Sequence, residues 1–193
     1  MELSKSIVAI AFFVTSALPG CAPARAPNAA AIAPTTLTGS DGKSHPLIDP
    51  DAKLTVVEFF SAHCPCQAKH DERLQALART YRSRGVAFVA VDSEIDAAVD
   101  RDRTETEARR YAYPILIDSD GAVARRLGAD YATFTVLVDH AGKMLYSGGI
   151  DSDKSHLTGD ATPYLRDAID DALEGRPLRR ASAKALGCAL TLR

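Results

Sequence analysis

The sequence predicts a layered α/β domain: a central mixed β-sheet flanked by helices on both faces, with an N-terminal β-hairpin and a C-terminal extension. Three observations carry this expectation. Thr55–Phe60 is a β-branched and aromatic run of the kind that suits a central strand covered on both sides. It breaks at Ser61-Ala62-His63-Cys64-Pro65-Cys66 and becomes helical from there on. Strand-like and helix-like segments then alternate as far as Gly128, after which a hairpin and one more helix close the domain.

In chain order, Leu37–Leu47 reads as a hairpin turning at Ser40-Asp41-Gly42-Lys43, where Asp-Gly is a strong turn signal. The strand Thr55–Phe60 is followed by a helix over Pro65–Arg84. Ala68, Leu74, Leu77, Ala78 and Tyr81 gather on one face of that helix. Pro65 suits its first turn, where a missing N–H costs nothing, and this makes Cys64 the N-cap. Gly85 stops the helix. Val86–Val91 is a second buried strand ending in Asp92, a residue expected to cap a helix or, failing that, to sit near the site. A polar helix over about 97–111 comes next, then a short strand Pro114–Ile117 and a short helix Gly121–Leu127 closed by Gly128. Thr133–Val138, the turn Asp139-His140-Ala141-Gly142 and Lys143–Ser147 form a hairpin, and Thr162–Leu173 is the last helix, ended by Gly175.

Met1–Cys21 reads as an export signal. Lys5 precedes an apolar run from Ile7 to Leu18 that is too short to span a bilayer, and Leu18-Pro19-Gly20-Cys21 follows. That ending resembles a bacterial lipobox, in which the cysteine is acylated and becomes the first residue of the mature protein. The expected organisation is a lipoprotein signal peptide over 1–20, a flexible Ala/Pro-rich tether over 21–35, the folded domain over 36–175 and a tail over 176–193 carrying Cys188. Such a protein faces the periplasm from the bacterial cell envelope, held to the membrane through Cys21. The net charge of −2 gives no reason to expect nucleic acid, and the basic cluster Arg176–Arg180 reads as a solvated segment.

With Cys21 given to lipid, three thiols remain: Cys64, Cys66 and Cys188. Backbone N–H groups and the positive dipole end at a helix start favour a thiolate, which makes Cys64 the candidate nucleophile. Residues two apart on a helix do not face each other, so a Cys64–Cys66 disulfide needs the corner to stay open and would be strained. Cys188 lies in a glycine-containing tail able to fold back. Cys66 and Cys188 are thus equal candidates for the partner of Cys64. His70 follows Cys66 by one helical turn, and His63 adjoins Cys64. Cys64, Cys66, His63 and His70 therefore form an alternative ligand set for copper(I) or zinc.

The order of elements, with cysteine at the corner after the first central strand, resembles the thioredoxin-like fold. More narrowly, it resembles the redoxin branch related to peroxiredoxins and alkyl hydroperoxide reductases. The resemblance rests on Phe59-Phe60-Ser61-Ala62-His63-Cys64-Pro65, His70-Asp71-Glu72-Arg73-Leu74, Gly85–Asp92, Val136–Asp139 with Gly142-Lys143, and the tail Leu173-Glu174-Gly175-Arg176-Pro177 with Gly187-Cys188. Two departures stand out. A Cys-x-x-Cys motif would put the second thiol at Gln67 rather than Cys66, and the cis-proline usual beside the active cysteine is replaced by Thr133. Peroxiredoxins also replace that proline. Ser61 matches their hydroxyl residue three before the reactive cysteine, whereas Val57 stands where they carry a proline.

The resemblance implies a thiol-disulfide oxidoreductase or thiol peroxidase needing no cofactor. Cys64 would attack a disulfide-containing protein or a peroxide, Cys66 or Cys188 would resolve it, and an external thiol donor would restore the reduced pair. Thr133 and Ser61 complete the candidate site. The rival is a metal-binding or metal-delivery protein using the same corner.

Overall fold

The computed structural model describes residues 31–193; the lipobox and Cys21 lie outside the described residues. The chain runs β1 (Thr36–Gly39), β2 (Ser44–Pro46), β3 (Leu54–Phe60), α1 (Pro65–Arg82), β4 (Val86–Asp92), α2 (Val99–Arg109), β5 (Ile115–Ile117), α3 (Ala122–Leu127), β6 (Phe134–Asp139), β7 (Met144–Gly149) and α4 (Tyr164–Leu173). One seven-stranded mixed sheet has the order β2-β1-β5-β4-β3-β6-β7. β3 lies near its middle, parallel to β4 and antiparallel to β6.

Every residue of β3 is buried, as its near-continuous apolar run requires. Its alternation divides the core in two. Val56 and Phe60 face Leu74, Leu77 and Tyr81 of α1 and Leu165 and Ile169 of α4, while Val57 and Phe59 face Val123 and Leu127 of α3. Glu58 shares the α1 face with Val56 and Phe60. Helices therefore cover both faces. Asp92 does not cap a helix; one carboxylate oxygen accepts the Glu94 N–H at 2.9 Å and the other binds Arg101, closing the turn after β4.

Both terminal segments pack more closely than a tether and a solvated tail would. Ile32, within the stretch read as tether, is buried in the α3-side core, and its N–H donates to the Gly142 carbonyl at 2.8 Å. Packing among the described residues therefore includes Ile32, ahead of β1. At the other end, Arg176 and Arg179 bind the Asp171 carboxylate, and the chain then borders β7. Ser147 N–H donates to the Ala181 carbonyl at 3.1 Å, and Ala183 N–H to the Ser147 carbonyl at 3.2 Å. This short parallel bridge covers a sheet edge that would otherwise offer unpaired backbone groups. Gly148 makes it possible: its φ is +148°, and a Cβ there would stand 2.1 Å from the Ala183 carbonyl oxygen.

Gly148→Ala should lift the tail from β7 and destabilise the domain by about 1–3 kcal/mol, as overpacking against fixed backbone does. Urea denaturation reads this as a lowered midpoint, and an unchanged midpoint would show that the edge pairing contributes nothing.

Candidate active site: three thiols at a helix start

α1 begins as the sequence predicts. Cys64 is its N-cap with extended backbone (φ −92°, ψ 112°), Pro65 follows in the first turn, and the Gln67 N–H donates to Cys64 Sγ at 3.4 Å. The second donor to that sulfur comes from far along the chain. The Cys188 N–H reaches Cys64 Sγ at 3.3 Å, and the two sulfurs lie 2.8 Å apart with one thiol donating to the other. Cys66 completes the cluster, and the three sulfurs all lie within 4.8 Å of one another. Cys64 is 1 % exposed.

The tail is brought here by backbone pairing. The Ala132 N–H donates to the Cys188 carbonyl at 2.9 Å, the Leu190 N–H to the Asp130 carbonyl at 2.9 Å, and the Ile95 N–H to the Thr191 carbonyl at 2.8 Å. Leu190 and Leu192 pack on the α3-side core. Gly187 sets the approach, because a Cβ at that position would stand 1.7 Å from the Ala132 carbonyl oxygen. Cys188 is thus seated by a strip lying along 130–132.

Burial and the neighbouring sulfurs act differently on Cys188 and Cys66. The contact with Cys64, with burial second, pushes Cys188 up to about 11, so Cys188 keeps its proton. Burial, then the charge of Cys64, raises Cys66.

Thr133 occupies the expected place beside the corner in an unexpected conformation. All peptide bonds among the described residues are trans, and Thr133 has φ +67°, a costly region for a β-branched residue. Its N–H donates to the Phe59 carbonyl at 3.0 Å and to Gln67 Oε1 at 3.2 Å. A proline would offer neither bond. Ser61 Oγ donates to Glu94 Oε2 at 2.9 Å and accepts the His63 N–H at 3.3 Å, so its hydroxyl is engaged beside the corner.

The histidines do not join the sulfurs. His63 projects outward to Asp96 at 3.0 Å, and with Glu94 these form a separate cluster. His70 lies on the helix face of Cys66 as its spacing predicts, but its ring is already occupied. Nδ1 contacts the Cys66 carbonyl at 2.9 Å, and Nε2 contacts Asp151 Oδ1 at 3.3 Å. Burial disfavours the imidazolium, yet the Asp151 carboxylate and that carbonyl outweigh it and raise the pKa. The mixed sulfur–imidazole ligand set of Cys64, Cys66, His63 and His70 is therefore not assembled.

Beneath the corner lies a polar network that pattern reading passed over. Gln67, fully buried, directs its amide N–H groups at Glu58, at Asp71 Oδ1 (3.2 Å) and at the Tyr111 hydroxyl (3.1 Å). Tyr113 donates to Glu58 Oε2 at 2.8 Å. Arg109 ties α2 to this group through Asp71 at 3.1 Å and through the Ala62 carbonyl at 3.0 Å. Burial and then the Asp71 charge push Glu58 up to about 7, against hydrogen bonds from Tyr113 and Gln67 that favour its ionised form. Its one signal in the sequence is an acid set inside Val56-Val57-Glu58-Phe59-Phe60.

The Redoxin family model matches residues 22–161. The chain belongs to the Redoxin family. Among solved structures, this redoxin is similar to an uncharacterized conserved protein of Geobacillus kaustophilus (TM-score 0.78, 27 % identity, covering 86 % of this chain and 93 % of that one). A hypothetical protein of Sinorhizobium meliloti gives a TM-score of 0.76 at 26 % identity, covering 84 % of this chain and 93 % of that one. The peroxidoxin BcpB of Mycobacterium tuberculosis shares the fold at 20 % identity, with a TM-score of 0.56 and coverage of 75 % and 92 %. No curated protein matches the chain. Family and fold support the thiol oxidoreductase class.

Glu58 gives the redoxin a pH signature. With a pKa of 4.5 when unfolded and about 7 when folded, the native state binds the extra proton between these values. Stability therefore falls as pH rises through that window, by roughly 3 kcal/mol at 1.36 kcal/mol per unit. Glu58→Gln should remove this decline, read by urea denaturation at pH 5 and pH 8; an unchanged pH slope would show that Glu58 titrates normally.

Proposed function

We propose that this redoxin is an exported, lipid-anchored thiol-disulfide oxidoreductase working through a Cys64–Cys188 pair. The observation that carries this reading is the 2.8 Å approach of the two sulfurs. In the reducing direction, the Cys64 thiolate attacks one sulfur of a substrate disulfide. A mixed disulfide forms, and the other substrate sulfur leaves as a thiolate. Cys188 then gives its proton to solvent, and its sulfur attacks Cys64 Sγ. The Cys64–Cys188 bond forms and the second substrate thiolate departs, so two electrons have passed to the substrate. An external thiol donor returns them.

Cys188 is favoured over Cys66 as the resolving thiol because Cys66 is part of the first turn of α1. Pairing it with Cys64 would require that turn to open. Gln67, Glu58 and Thr133 act as positioning residues: the Gln67 backbone donates to the reactive sulfur, and its side chain is fixed by the other two. Ile95 and Tyr131, 48 % and 44 % exposed, flank the strip that bears Cys188. They suit the docking of a protein disulfide or a protein thiol donor. A second reading, peroxide reduction, is favoured by the burial of Cys64, which restricts a bulky disulfide more than a small oxidant. There the peroxide takes Cys64 to a sulfenic acid with loss of an alcohol or water. Cys188 then condenses with it, releasing water.

Mass mapping of the mildly oxidised protein should find a Cys64–Cys188 disulfide. Cys188→Ser should accumulate a mixed disulfide or sulfenic acid at Cys64, while turnover of a disulfide or peroxide with a thiol donor falls at least ~10-fold. A Cys64–Cys66 bond with undiminished turnover would exchange the roles assigned to the two candidates.

The envelope location rests on Leu18–Cys21. Cys21→Ser should abolish acylation and release the protein from the membrane fraction; wild-type processing and fractionation of that variant would refute the anchor.

A further inference from the structure

We propose that the reduced site is also a copper(I) site, with Cys64, Cys66 and Cys188 as three sulfur ligands. The three sulfurs lie within 4.8 Å of one another at a corner where Cys64 and Cys66 are buried and Cys188 is half-buried. Metal–sulfur bonds of about 2.3 Å place the ligands of a three-coordinate ion about 4 Å apart. Cys188, now 2.8 Å from Cys64, therefore needs to draw back by about 1 Å, while Cys66 is already within range.

The donor set selects the ion. His63 is turned outward to Asp96, and His70 is held between the Cys66 carbonyl and Asp151, so the cluster presents sulfur alone. Structural zinc takes four ligands in tetrahedral array, and the cluster offers three. Three thiolates without a fourth donor suit soft copper(I) better than zinc. The N–H groups of Gln67 and Cys188, both directed at Cys64 Sγ, offset part of the negative charge such a centre carries.

Thiols bind metal as thiolates, so metal binding is coupled to loss of their protons. Copper(I) binding releases the remaining thiol protons to buffer, and no electron changes hands. Closing a Cys64–Cys188 disulfide takes two of the three ligands, so bound metal and disulfide exclude one another. The site itself needs only reduced thiols and does not depend on any turnover.

The test is anaerobic titration of the reduced mature protein with copper(I) against a chromogenic copper(I) chelator. One ion per chain is expected, with all three thiols shielded from alkylation and with sulfur ligation in copper X-ray absorption. Cys66→Ser and Cys188→Ser should each weaken affinity by more than the ~10–100-fold typical of losing a mere supporting contact. His63→Ala should change it less than twofold. The proposal is overturned by the absence of a one-to-one complex, by thiols that remain fully alkylatable with copper(I) present, or by nitrogen ligation. Shielding of thiols is read on the wild-type chain, so the result stands even if a serine variant misfolds. A copper(I) complex in a protein that forms no Cys64–Cys188 disulfide would sustain this site and reject the oxidoreductase assignment, and the reverse pair of results would do the opposite.

Discussion

The site depends on one close approach. At Gly187 the tail passes so near the Ala132 carbonyl that no side chain fits between them, and from that passage follow the pairing along 130–132 and the arrival of Cys188 over Cys64. The corner alone would be a helix N-cap with a single amide directed at its sulfur. With the tail in place it becomes a dithiol with a second amide donor and very little exposure. An element outside the α/β layers thus supplies the second sulfur of the closest pair.

Below the corner, the geometry is fixed by Gln67. Its side chain reaches in two directions, to the acids and tyrosines against β3 and to the amide of Thr133, while its backbone N–H donates to the Cys64 sulfur. The left-handed backbone of Thr133 is worth its cost of about 1–3 kcal/mol only because the amide it exposes is used twice, by Phe59 and by Gln67. Glu58 is satisfied in hydrogen bonding and still unfavourable to ionise, because burial removes water from its carboxylate and, second, the Asp71 charge lies close by. Buried acid, amide and strained threonine form one continuous network running from the sheet to the thiol.

How far the sequence disclosed this follows from the range of each interaction. The strand–corner–helix unit was legible because its signals are local: apolar alternation, a proline in the first turn and a cysteine before it. The position of His70 on the face of Cys66 was also legible from periodicity. Its capture by Asp151 was not, since that partner arrives from the loop after β7. The same holds for the tail, whose docking depends on Gly148 and Gly187 meeting distant backbone. Glu58 was visible as an acid within an apolar run, but periodicity records where a residue faces and not what it titrates against.

The span between Cys64 and Cys188 has a consequence for the lifetime of the protein. These residues are 124 positions apart, so a bond between them would tie the first turn of α1 to the end of the chain and enclose most of the domain. Chain-entropy arguments give a loop of that size roughly 5 kcal/mol of stabilisation by restricting the unfolded ensemble. Proteases that act on opened chains sample that ensemble in proportion to its population. Oxidised molecules would therefore outlast reduced ones in a compartment containing such enzymes. The surviving pool would then record the redox history of its surroundings.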